Sequence, residues 1–140
     1  MTVIEKFTAF YEDLASMQTS QLKHIYSKDV EFIDPIAKHQ GIKSVEHYFD
    51  RLLHNAKFCE FDIKTVEQTL SERYVVAWQM TFTSDRMNKG KPIKVDGLTL
   101  LHLQNDLIVY HRDYYDLGQM VYENIPVLGF IVKKIKKGMN

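Results

Sequence analysis

His111, Asp113 and Tyr115 stand at every second position at the end of an apolar run, Leu107-Ile108-Val109-Tyr110. An imidazole, a carboxylate and a phenol are groups that serve as general acids and bases. The run reads as a β-strand, whose side chains alternate between two faces. Leu107, Val109, His111, Asp113 and Tyr115 are therefore expected on one face, and Ile108, Tyr110, Arg112, Tyr114 and Asp116 on the other. A buried polar group without a partner costs about 1–3 kcal/mol. These groups must therefore bond to neighbours or meet a ligand. Two more residues bear on this chemistry. Asp34 ends the strand-like Val30-Glu31-Phe32-Ile33, and Pro35 stops that strand from continuing as a central one. Its carboxylate either caps the turn or stands at a cavity mouth. Tyr11 lies on an apolar stripe, as a core aromatic or as a phenol aimed into a cavity.

The elements that position these residues follow from periodicity. Val3, Ile4, Phe7, Phe10, Tyr11, Leu14 and Met17 predict an amphipathic helix over residues 3–17, opened by a Thr2/Glu5 capping box. A second short helix is predicted over 19–27, with Leu22, Ile25 and Tyr26 inward. Gly41 opens a third helix over about 42–55, with Ile42, Val45, Tyr48, Phe49, Leu52 and Leu53 on its buried stripe. From residue 57 the period changes to two: Cys59, Phe61 and Ile63 alternate with charged residues, and Tyr74, Val76, Trp78, Met80 and Phe82 share a face of the next strand. Turns at Asn88-Lys89-Gly90-Lys91 and Gln104-Asn105-Asp106 bracket a strand from Lys94 to Leu103. After Tyr115 the pattern is helical again, broken at Pro126. The segment 127–140 alternates apolar residues with Lys133, Lys134, Lys136 and Lys137. It reads as a terminal helix packed on the domain or on a partner subunit, in preference to one touching an anionic membrane.

Composition narrows the function classes. At 140 residues the chain is expected to form one domain. Its 18 basic and 18 acidic residues balance, which argues against nucleic-acid binding. The single cysteine, Cys59, allows no internal disulfide and reads as a small strand residue. With no signal-like start and no apolar run of membrane-spanning length, a cytoplasmic location is expected. His39, His47 and His54 read as surface residues. His47 and His54 lie roughly 10 Å apart along a helix, too far to share a metal. No metal site and no cofactor are expected.

Helices followed by long antiparallel strands predict an α+β protein with a curved antiparallel sheet wrapped around N-terminal helices, leaving a cone with an apolar interior. The chain here resembles the nuclear transport factor 2-like superfamily, and within it the SnoaL-like and ketosteroid isomerase-like branches, which implies a cone-shaped, cystatin-like α+β barrel. The resemblance covers residues 3–125 and rests on Glu31-Phe32-Ile33-Asp34-Pro35, Val95-Asp96-Gly97-Leu98-Thr99 and His111-Arg112-Asp113-Tyr114-Tyr115-Asp116. It implies Asp34 as general base and Tyr11 as an oxyanion donor. The second donor of the isomerases falls on Thr99, with Asp96 three residues earlier and so on the opposite face unless a bulge intervenes. Pocket positions of the last strand fall on His111, Asp113 and Tyr115. The expected catalytic residues are thus Asp34, His111, Asp113 and Tyr11, and the expected ligand-binding residues Tyr115, Thr99, Asp96 and Trp78.

The resemblance implies an isomerase- or cyclase-type acid–base enzyme. Asp34 would take a proton beside the carbonyl of a small apolar compound, and Tyr11, with His111 or Tyr115, would bond the developing oxyanion. The alternative is a non-catalytic ligand-binding or protein-interaction module, in which His111 and Asp113 bond to each other and Asp34 caps a turn. A homodimer is expected, because a broad sheet of alternating residues has an outer face to cover; the sequence does not show which face pairs.

Overall fold

The computed structural model describes residues 1–55 and 58–140. Helix α1 (Val3–Glu12) opens on the Thr2/Glu5 capping box, with both reciprocal hydrogen bonds made. It is shorter than its apolar stripe. Asp13 leaves helical geometry, and a separate 3-10 turn, Leu14–Ser16, carries Leu14 into the core.

The helix expected over 19–27 is a 3-10 helix, Thr19–His24, and strand β1 (Tyr26–Ile33) begins directly after it. Strand pairing overrides the helical spacing, because the Ile108 N–H donates to the Ile25 carbonyl and Tyr26 pairs with Ile108. Strand β2 (Lys38–Gln40) folds back on β1, and helix α2 (Ile42–Asn55) starts after Gly41, whose φ of 84° suits a residue without a Cβ. Strands β3 (Phe58–Leu70), β4 (Arg73–Thr83), β5 (Ile93–Gln104) and β6 (Leu107–Tyr115) form an antiparallel meander. The period change expected at residue 57 lies outside the described residues, and the strand is in place from Phe58. Short helix α3 (Leu117–Met120) and helix α4 (Leu128–Gly138) close the chain.

The curved, unclosed sheet has the order β2-β1-β6-β5-β4-β3. One pairing departs from an all-antiparallel sheet: β1 runs parallel to β6. This places Phe32 beside His111, their rings stacked 4.0 Å apart. Helices α1 and α2 fill the concave side, where Phe7, Phe10, Phe32 and Phe49 are buried.

The alternation expected along β6 holds from His111 to Tyr115 and breaks before it. Ile108, placed with the outer residues by parity, is fully buried. The register explains the change: His102 pairs with Tyr110 while Leu103 pairs with Ile108, so Val109 is an extra residue that flips the phase. Cys59 is half-buried on β3, and burial pushes its thiol up to about 11.

Candidate functional site

Two constellations separate where the sequence suggested one. The first is a buried hydrogen-bonded chain through the middle of the fold. Tyr11 Oη on α1 lies 3.0 Å from Tyr26 Oη at the start of β1. Tyr26 Oη lies 2.9 Å from His111 Nδ1, and His111 Nε2 lies 2.8 Å from Asp113 Oδ1. On the other side the Trp78 indole N–H donates to Thr99 Oγ1 at 2.8 Å, and the Thr99 hydroxyl donates to Asp113 Oδ1 at 2.6 Å. A neutral imidazole protonated on Nε2 satisfies every member: Tyr11 donates to Tyr26, Tyr26 to His111, and His111, like Thr99, to the Asp113 carboxylate. Burial lifts the Tyr11 and Tyr26 phenols well above the usual tyrosine range, so both remain donors.

This chain has no room for a ligand. The void beside it, bordered by Tyr11, Phe61, Trp78, Thr99 and Asp113, measures about 10 Å³ and holds one water at most. The Trp78 ring lies directly over Gly97; a Cβ there would come within 2.3 Å of the indole.

The second constellation is a cavity of about 410 Å³ between the β1–β2 turn, α2, the end of β4 and α3. Asp34, His39, Tyr48 and Tyr115 line it, with Phe82, Met87 and Met120 supplying apolar wall and Arg51 at the exposed rim. Asp34 is 8% exposed. Its Oδ1 accepts the backbone N–H groups of Ile36 and Ala37, each at 2.8 Å, so one oxygen fixes the Asp-Pro turn. Among the described residues nothing hydrogen-bonds its Oδ2. Tyr48 and Tyr115 likewise make no phenol hydrogen bond among the described residues. Burial raises the Tyr48 phenol well above its usual value, with the Asp113 and Asp34 charges adding to the rise. Tyr115 is raised by burial and then by Asp34 and Asp113. Both phenols are therefore proton donors at any ordinary pH.

The expected site residues divide accordingly. Asp34 and Tyr115 share the cavity. Tyr11, His111, Asp113, Thr99 and Trp78 belong to the buried chain, and none of them borders the cavity. Asp96 is not inside at all: it is exposed, accepts from Gln79 Nε2, and its N–H donates to Gln119 Oε1. The β4–β5 register is regular from Ile93 to His102, so no bulge reverses its odd offset from Thr99. His39 is a correction: β2 pairing turns it inward, half-buried against Phe32 and Tyr48, while His47 and His54 are exposed as expected. Tyr48 was hidden among the apolar residues of the α2 stripe; its hydroxyl, on an otherwise hydrocarbon face, was the signal. Among the described residues no group of three or more His, Cys, Asp or Glu is placed to hold a metal.

A curved, unclosed α+β sheet packed over N-terminal helices defines the class of this protein. The SnoaL-like domain family matches residues 7–111, three quarters of the chain, and the protein belongs to that family. Solved structures agree in fold. A hypothetical protein with a ketosteroid isomerase-like fold from Catenulispora acidiphila, crystallised with trimethylamine, superposes with a TM-score of 0.75 at 17% identity over 87% of this chain and 94% of its own. A putative SnoaL-like polyketide cyclase from Jannaschia sp. CCS1 gives 0.72 at 15% identity, covering 89% and 92%. A putative polyketide cyclase from Acidithiobacillus ferrooxidans gives 0.66 at 16%, covering 84% and 87%. Comparison with curated proteins finds no match.

Proposed function

We propose that the cavity binds a small, largely apolar carbonyl compound and moves a proton on it. Asp34 Oδ2 takes the proton from the carbon beside the carbonyl. Tyr115 and Tyr48 donate hydrogen bonds to the oxygen as negative charge builds there. The observation that carries this reading is the second carboxylate oxygen of Asp34 and the phenols of the half-buried Tyr48 and Tyr115, all without protein partners among the described residues, around one space. Relative to the sequence reading, the donor role passes from Tyr11 to Tyr48. The Tyr11 hydroxyl is already hydrogen-bonded to that of Tyr26.

The second reading is a pocket that binds without reacting. The two backbone bonds to Asp34 Oδ1 favour it, since a turn-capping carboxylate needs no chemistry. A carboxylate among aromatic rings also suits a small ammonium ion, the kind of ligand crystallised with the Catenulispora protein. The two readings separate by calorimetric titration with enolisable ketones and with trimethylammonium, on the wild type and on Tyr48→Phe and Tyr115→Phe. Loss of ketone affinity in the phenylalanine variants supports the carbonyl reading. Ammonium binding alone supports the second.

A homodimer belongs to the same proposal. Leu98 and Tyr114 are exposed side by side on the outer face of the sheet, and pairing would cover them. Sedimentation of the wild type against Leu98→Glu checks it.

A further inference from the structure

Helix α4 does not pack as its composition suggests. It rests on the turn Tyr122–Asn124, where Gly129 lies so close that a Cβ would fall 2.3 Å from the Glu123 carbonyl oxygen. Seven residues on, Lys136 Nζ reaches Glu123 Oε1 at 3.3 Å. Gly129 and Lys136 therefore mark the docked side. Phe130, Ile131, Lys134 and Ile135 follow at the spacing of one helical face, and that face points away from the domain, with Val127 exposed just before the helix. Val127 is 74% exposed, Phe130 71%, Ile131 46% and Ile135 57%.

Charge says what this face suits. Four of the chain's 18 basic side chains and none of its 18 acidic ones fall in residues 127–140, so this segment carries +4 and the remainder −4. Lys134 stands within the apolar patch, and Lys133 and Lys137 border it beside Phe130. Among the described residues their ends bond to no side chain, and they can meet phosphates while the apolar side chains enter the layer beneath.

We propose that α4 is a docking surface for a membrane containing anionic phospholipid, with Phe130, Ile131 and Ile135 entering the interface and Lys133, Lys134 and Lys137 contacting headgroups. The net negative remainder of the chain is repelled by the same surface, so the protein approaches helix first. Lys136, already paired with Glu123, takes no part.

The test uses the full chain in cosedimentation with phosphatidylcholine vesicles, with and without phosphatidylserine. The expected result is binding only when phosphatidylserine is present, weakening steadily with salt. Replacing Lys133, Lys134 and Lys137 together by Gln lowers affinity by about 100-fold, and Ile131→Ser with Ile135→Ser also weakens it. Circular dichroism and gel filtration of both variants accompany the measurement. Equal binding to neutral vesicles, or none to either, overturns the proposal. So does a serine variant that dissociates a dimer while wild-type vesicle binding is absent, since the face then belongs to a second copy.

Discussion

Tyr26 Oη lies 2.9 Å from His111 Nδ1, joining the first residue of β1 to the middle of β6 across 85 positions of chain. The bond ties the parallel pairing of β1 and β6 to the chain of polar groups that crosses the core. It also commits the imidazole: His111 holds Tyr26 with one nitrogen and Asp113 with the other. The histidine that stood out in the sequence as a catalytic group is held as part of the architecture.

Tyr26→Phe leaves His111 Nδ1 buried without a partner, and the expected cost is about 1–3 kcal/mol. His111→Leu strands both Tyr26 and Asp113 and costs more. Tyr11→Phe removes only a terminal donor and costs about 1 kcal/mol. Urea unfolding midpoints of the three variants check the order.

Asp34→Asn keeps an oxygen able to accept the Ile36 and Ala37 N–H groups, so stability is expected to change by less than about 1 kcal/mol. Asp34→Ala removes that acceptor and costs about 1–3 kcal/mol. Thermal unfolding of the pair separates the turn-holding oxygen from the one facing the cavity.

Tyr11, Tyr26 and Tyr48 all have phenols raised above 10, in each case chiefly by burial. Between the unfolded value near 10 and the folded values, the native state holds more protons than the unfolded chain, so stability falls as pH rises. Their contribution is complete below pH 10 and is lost above it. Ultraviolet titration of phenolate shows late, unfolding-linked ionisation, and Tyr26→Phe with Tyr48→Phe flattens the alkaline slope.

Cys59 is held as a thiol by burial, with a value of about 11. Alkylation at neutral pH is expected to be slower than for an unstructured cysteine, and to reach the free rate once the protein is unfolded in urea. Mass spectrometry of iodoacetamide labelling follows both.

Gly97→Ala places a methyl 2.3 Å from a Trp78 ring whose N–H is bound to Thr99. The indole cannot swing away without losing that bond, so a loss of about 1–3 kcal/mol is expected, visible as a lower urea midpoint and a shifted tryptophan emission.

Much of this architecture was legible along the chain, because a period of 3.6 and a period of two are separate signals. Helix α2 and strands β3 to β6 lie where alternation puts them, and His111, Asp113 and Tyr115 do share a face. What was not legible depends on pairing between distant segments. The extra residue at Val109 turned Ile108 inward, and pairing with β1 turned His39 inward on β2. Tyr48 reads as one more apolar residue until the fold sets it beside Asp34. Whether a polar residue meets a ligand or another side chain is likewise a property of distance. Tyr11, His111 and Asp113 satisfy one another, whereas Tyr48 and Tyr115 face a space.

The central claim is that Asp34 moves a proton on a bound carbonyl compound. Purified protein is incubated in heavy water with a panel of enolisable ketones and polyketide-like carbonyls, and deuterium incorporation is followed by mass, with Asp34→Asn and Tyr48→Phe alongside. The account predicts protein-dependent exchange of the proton beside the carbonyl, abolished in Asp34→Asn and slowed in Tyr48→Phe. Binding of the same compounds with no exchange, or exchange that survives in Asp34→Asn, would contradict it.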